Sequence, residues 1–191
     1  MKKSKLPMNL PNRLTMVRIV MIPVYLLLLT GGNWCRFAAG LVFAAASITD
    51  YFDGKIARER SLITDFGKFM DPIADKLLVL LPFLYFCATE PFGVADVWPV
   101  MLMVAREIIV SGFRLVASTK GKVIAADKFG KVKTATQMVT VITMTLRPII
   151  ESAIPWFGKI PWALLWLCGV LSVYSGAEMI RKNLHILEVE E

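Results

Sequence analysis

Residues 50–76 read DYFDGKIARERSLITDFGKFMDPIADK, with five Asp, one Glu and five Lys or Arg. On either side lie FAAGLVFAAASIT (37–49) and LLVLLPFLYFCAT (77–89), which carry no charge. Each uncharged run holds 13 residues, whereas a membrane-crossing helix needs about 20. Helices built on these runs must therefore take in the charged turns at their ends. That sets Asp50, Asp53, Asp71 and Asp75 at or just beneath the headgroup level. Carboxylates at that depth are costly unless they face a wet cavity and bind cations.

The rest of the chain agrees with a membrane setting. Hydrophobic residues make up 56% of the 191 residues and mean hydropathy is +0.60, against roughly 45–50% apolar in ordinary soluble domains. Apolar runs predict six helices, at about 14–30, 36–50, 71–89, 97–117, 133–150 and 160–180, with TGGN (30–33) and EPFG (90–93) as short turns. Strand alternation is missing, which argues against a barrel. Residues 1–13 interleave Leu6, Met8 and Leu10 with lysines and an arginine, as an interfacial segment does. The expected fold is therefore all-α and polytopic: one membrane domain over 1–191, with six transmembrane helices and an N-terminal interfacial segment.

The net charge of +7 is explained by topology. Of 22 Lys and Arg, five lie in residues 1–18, five in 50–76, six in 114–133 and two at 181–182. All of these fall on one side if six helices alternate, which predicts both termini in the cytoplasm. Attraction to anionic headgroups accounts for the basicity, and no nucleic-acid partner is expected. Cys35, Cys87 and Cys168 have neither disulfide nor zinc spacing. Trp34, Trp98, Trp156 and Trp162 fall near the predicted outer boundaries, as an interfacial belt does.

Asp50 and Asp53 are spaced i, i+3 at the end of the second span, and Asp71 and Asp75 i, i+4 at the start of the third, so each pair shares a helix face. Two antiparallel helices then offer four carboxylates to one point, which repel unless a divalent cation neutralises them. All-oxygen ligation suits Mg²⁺, Mn²⁺ or Ca²⁺. Paired metals sharing carboxylates are suited to phosphoryl displacement. Between the pairs, Gly54 allows close approach of a ligand or backbone. Ala57 is small, and Arg58 offers bidentate bonds to phosphate. Thr64 is placed to cap the following helix or to donate to phosphate, and Gly67 lies one turn before Asp71. Pro72 implies either a helix start capped by Asp71 or a kink.

The pattern Asp50-x-x-Asp53-Gly54-x-x-Ala57-Arg58, eight residues, then Gly67-x-x-x-Asp71-x-x-x-Asp75 resembles the signature of the CDP-alcohol phosphatidyltransferases. All eight fixed positions over 26 residues agree. The resemblance implies a two-metal site using Mg²⁺ or Mn²⁺, with Asp50, Asp53 and Asp71 on one ion, Asp50, Asp71 and Asp75 on the other, and Asp75 also as general base. Gly54, Ala57, Arg58, Thr64 and Gly67 then belong to the site for the CDP-linked lipid. PNRLT (11–15) is similar to the family's entry segment, so Asn12 and Thr15 are expected to touch the nucleotide. A homodimer and a bacterial cytoplasmic membrane, with the site on the cytoplasmic side, follow from the same resemblance.

The attacking alcohol is a separate inference. Arg106, deep in the fourth span, must pair with Glu107, another helix or a cavity ligand. With Arg114, Lys131 and Lys133 it forms a candidate cationic pocket for a phosphorylated alcohol. Lys120, Lys122 and Lys128 read as ordinary inner-loop charge. AREIIVSGFRL with GKVKT is also similar to the branch of the family whose acceptor is sn-glycerol 3-phosphate. The expected reaction is transfer of the phosphatidyl group from CDP-diacylglycerol to that acceptor. Inositol phosphate or phosphatidylglycerol is the alternative acceptor. From another class, a cation transporter is the rival, but it should carry acidic residues near mid-span in several helices.

Overall fold

The computed structural model describes residues 9–59, 64–89, 95–122, 124 and 128–186. Six α-helices follow one another: α1 (Leu10–Leu29), α2 (Asn33–Glu59), α3 (Asp65–Thr89), α4 (Val97–Thr119), α5 (Lys128–Glu151) and α6 (Ile160–Asn183). There is no strand among the described residues. Three helical stretches, Asn12–Leu29, Phe69–Thr89 and Pro155–Ile186, are long and apolar enough to cross a membrane. The other helices are of similar length but carry polar residues within them: Arg106, Glu107 and Arg114 on α4, and five threonines with Gln137 on α5.

Local chemistry sets the helix ends. The Asn9 side chain accepts from the Asn12 N–H at 3.1 Å, and Pro11 fits the first turn, where its missing N–H costs nothing. Asp96 caps α4 by accepting from the Trp98 N–H. Thr64 accepts from the Gly67 N–H at 3.0 Å, realising the expected cap of α3. Of the two expectations for Pro72, the helix start does not hold. α3 begins at Asp65, and Pro72 lies within it. The cap at Thr64 lets the helix start earlier, and Pro72, inside it, cannot donate to the Lys68 carbonyl and crowds it. The turn at Thr30–Gly32 is as short as TGGN implied; EPFG and most of the segment 1–13 lie outside the described residues.

Helix α1 packs against α2 and α3, α6 against α4 and α5, and α5 also against α2 and α3. The core at one end is aromatic: Tyr25, Phe43, Phe83 and Phe86 are buried together with Met103, Met144 and Leu165. The rings of Tyr25 and Phe43 lie 5.4 Å apart, and the Tyr25 hydroxyl meets Thr145 Oγ1 at 2.8 Å in a buried bond. At this end the exposed Trp34, Trp98, Trp156 and Trp162 cluster around the starts of α2, α4 and α6. The polar site lies at the other end, where α1, α3 and α5 begin.

Candidate functional site

Along α1, Asn12, Thr15 and Arg18 follow at intervals of three, so they share a face. All three are buried, Arg18 completely. Each reaches α3 or its cap. Thr64 Oγ1 donates to Asn12 Oδ1 at 3.0 Å. Thr15 Oγ1 donates to Asp71 Oδ1 at 2.6 Å. Arg18 Nη1 donates to Asp75 Oδ1 at 2.5 Å in an ion pair. Gly67 sits inside this contact: a Cβ there would come within 2.9 Å of Asn12 Oδ1 and 3.5 Å of Asp71 Oδ2. A side chain at this position would have to displace the Asn12 side chain from its place beside Thr64.

Asp71 and Asp75 thus stand one turn apart on α3, and the Asp75 side chain is 49% exposed. Both line a cleft of about 830 Å³ between α3, α4, α5 and α6. Across it stand Arg106, Glu107, Arg114 and Lys133. Glu107 binds two cations: Arg106 Nη1 donates to its Oε1 at 2.9 Å, and Lys133 Nζ donates to the same oxygen. Arg106 Nη2 also reaches Ser175 Oγ at 3.1 Å on α6, and Lys76 Nζ donates to Ser111 Oγ at 2.7 Å between α3 and α4. Arg106, Arg114 and Lys133 therefore share a cavity with Asp71 and Asp75. Lys131 is exposed and is not among the cleft's lining residues.

Asp50, Asp53, Gly54, Ala57 and Arg58 belong to the last turns of α2, and their side chains lie outside the described residues. Among the described residues no group of three metal-ligating side chains forms, and the side chains of Asp50 and Asp53 are not among those described. Asp71 and Asp75 nonetheless fit a hard divalent cation. They offer carboxylate oxygen alone, from one helix face, into a cavity, each already oriented by a donor on α1.

Asn12 and Thr15, expected at the nucleotide, are bonded within the protein to Thr64 and Asp71. Arg18 escaped the reading of the sequence altogether. The signal available was its place on one face with Asn12 and Thr15 in an otherwise apolar helix.

Comparison with known proteins places the chain in a family. Residues 8–174 match the family model described as CDP-alcohol phosphatidyltransferase. The chain is 35% identical over 195 residues to the CDP-diacylglycerol--glycerol-3-phosphate 3-phosphatidyltransferase of Bacillus subtilis (strain 168), covering 94% of this chain and 97% of that protein. It is 38% identical over 173 residues to proteins of the same name from Shigella flexneri serotype 5b (strain 8401) and Escherichia coli (strain K12), covering 87% of this chain and 90% of each.

Proposed function

The chain belongs to the CDP-alcohol phosphatidyltransferase family, and from that premise we propose that it makes phosphatidylglycerophosphate. It transfers the phosphatidyl group of CDP-diacylglycerol to sn-glycerol 3-phosphate and releases CMP. The observation that carries this reading is the shared cleft, with Asp71 and Asp75 on one wall and Arg106, Arg114 and Lys133 on the other. A lipid diphosphate needs cations held by carboxylates, and a phosphorylated alcohol needs cationic side chains. An alcohol without phosphate would leave those side chains without a charge partner from the substrate.

Asp50, Asp53, Asp71 and Asp75 are the residues to hold Mg²⁺ or Mn²⁺. Bound there, such ions would supply positive charge against the diphosphate and the departing phosphate. Arg58, with Gly54, Ala57, Thr64 and Gly67, takes the CDP portion. Asn12 and Thr15, being buried, serve this side of the site through Thr64 and Asp71. Arg106, Arg114 and Lys133 hold the acceptor phosphate, and the exposed Lys131, two residues before Lys133, adds positive field from outside the cleft. Asp75 takes the proton of the acceptor hydroxyl. The hydroxyl oxygen then bonds to the β-phosphorus, and the bond from that phosphorus to the anhydride oxygen breaks, with its electron pair leaving on CMP.

The reading extends to six membrane spans with both termini cytoplasmic, supported by alternating helices, the basic inner segments and the tryptophans at the opposite end. It extends also to a single domain over 1–191 and to a homodimer. Bacterial relatives support a cytoplasmic membrane with the cleft facing inward.

The test is CMP release by purified protein with CDP-diacylglycerol and Mg²⁺ across a panel of alcohols. Release with glycerol 3-phosphate, abolished by EDTA and by Asp75→Asn, is expected. Release only with inositol phosphate or phosphatidylglycerol would keep the family and overturn the acceptor.

A further inference from the structure

Arg18 is completely buried on α1, two turns inside a helix long and apolar enough to cross a membrane. A guanidinium in such a place is tolerated only if it is paired. With almost no exposed surface, it is not placed to touch a substrate, so any role in the reaction runs through a neighbour. Asp75 is such a neighbour, 2.5 Å away and 57 residues along the chain.

The two partners differ in exposure. The Arg18 side chain is 1% exposed, while that of Asp75 is 49% exposed and faces the cleft. One oxygen of Asp75 is thus anchored from behind by a cation, while the carboxylate lines the cavity in front. Thr15 does the same for Asp71 one turn earlier, and Asn12 for the Thr64 cap. Three successive contacts along one face of α1 fix both the rotation and the register of α3. Gly67 leaves room for the Asn12 side chain between the two helices.

We propose that Arg18 is a positioning residue for Asp75, holding the carboxylate at the angle from which it meets the acceptor hydroxyl and the metal. The proposal rests on the role of Asp75 given above. The charge-assisted bond from Nη1 restrains one carboxylate oxygen and leaves the carboxylate otherwise facing the cleft. Reacting groups misplaced by about 1 Å lose on the order of 100-fold in rate. That is the loss expected in kcat when Arg18 is replaced by a neutral residue.

The test uses full-length protein in detergent. Wild-type CMP release with glycerol 3-phosphate checks the underlying reaction separately. Arg18→Gln is expected to lower kcat about 100-fold while leaving KM for glycerol 3-phosphate within about twofold, because the acceptor cations are untouched. Arg18→Lys is expected to recover part of the loss. Mn²⁺ affinity, measured without substrate by the free-ion EPR signal, is expected to shift in Arg18→Gln. The same substitution made on an Asp75→Asn background is expected to produce no further shift.

An unchanged kcat overturns the proposal, as does a KM for glycerol 3-phosphate that rises in step with the loss of kcat. So does a Mn²⁺ affinity that Arg18→Gln leaves unmoved or moves equally in both backgrounds. If neither Arg18 variant folds while Asp75→Asn does, Arg18 is purely structural and the proposal also falls.

Discussion

Glu107 of α4 and Lys133 of α5 form an ion pair between helices with side chains 14% and 8% exposed. Because Arg106 bonds to the same carboxylate oxygen, Glu107 is the shared counter-charge of two of the cleft's cations. Removing one member of a buried pair leaves the other charge uncompensated, at a cost of about 3 kcal/mol or more. Glu107→Gln is therefore expected to lower the thermal midpoint by about 6–12 °C. Glu107→Gln with Lys133→Gln is expected to recover part of it. A single variant as stable as wild type would show that the pair carries little weight.

Arg114 also lines the cleft but is exposed on its helix. Its truncation should weaken the acceptor without loosening the fold. Arg114→Ala is expected to raise KM for glycerol 3-phosphate about tenfold, the equivalent of roughly 1.4 kcal/mol, with KM for CDP-diacylglycerol within twofold. Equal losses for the two substrates would remove Arg114 from the acceptor site.

Gly176 of α6 lies under the Arg106 side chain: a Cβ there would meet Cγ at 2.8 Å and Nε at 3.2 Å. Gly176→Ala must shift either α6 or the root of the Arg106 side chain, which is held by Glu107 and Ser175, and this outweighs the roughly 1 kcal/mol by which alanine favours a helix. The expected result is a lower thermal midpoint with a several-fold higher KM for glycerol 3-phosphate. A variant less stable than wild type but unchanged in KM would mean that α6 moves and Arg106 stays.

At the far end, Thr145 Oγ1 donates to the Val141 carbonyl, so the Tyr25 hydroxyl is the donor in their mutual bond. Tyr25→Phe deletes that donor and leaves Thr145 with its own bond intact. A loss of about 1 kcal/mol is expected, read as a fall of roughly 2–4 °C in the thermal midpoint. CMP release should be unchanged, and a large fall in kcat would reveal coupling between the two ends.

What could be read from the sequence follows from the range of the interactions involved. Spacing within one helix places Asp71 and Asp75 on a common face, and Thr64 caps α3 as its position suggested. Arg106 pairs with the adjacent Glu107. Arg18 stayed hidden because its burial depends on a helix that starts 47 residues later. Within its own segment it resembles any basic residue on the inner side of a first span. For Asn12 and Thr15 the position near the site was legible. That their polar atoms turn toward α3 depends on packing between helices. Pro72 reads equally as a boundary or as a break inside a longer helix, and the Thr64 cap, two turns before it, decides against the boundary.

The clasp between α1 and α3 has a consequence for synthesis. During translation α1 leaves the ribosome first, and the partner Asp75 follows 57 residues later. Until α3 is made, Arg18 lacks its bond to Asp75, and its long side chain can reach toward water at the edge of the bilayer. The contacts of Asn12, Thr15 and Arg18 with α3 and its cap therefore close only after two further helices have been synthesised, so the first helix takes its final seat late in assembly.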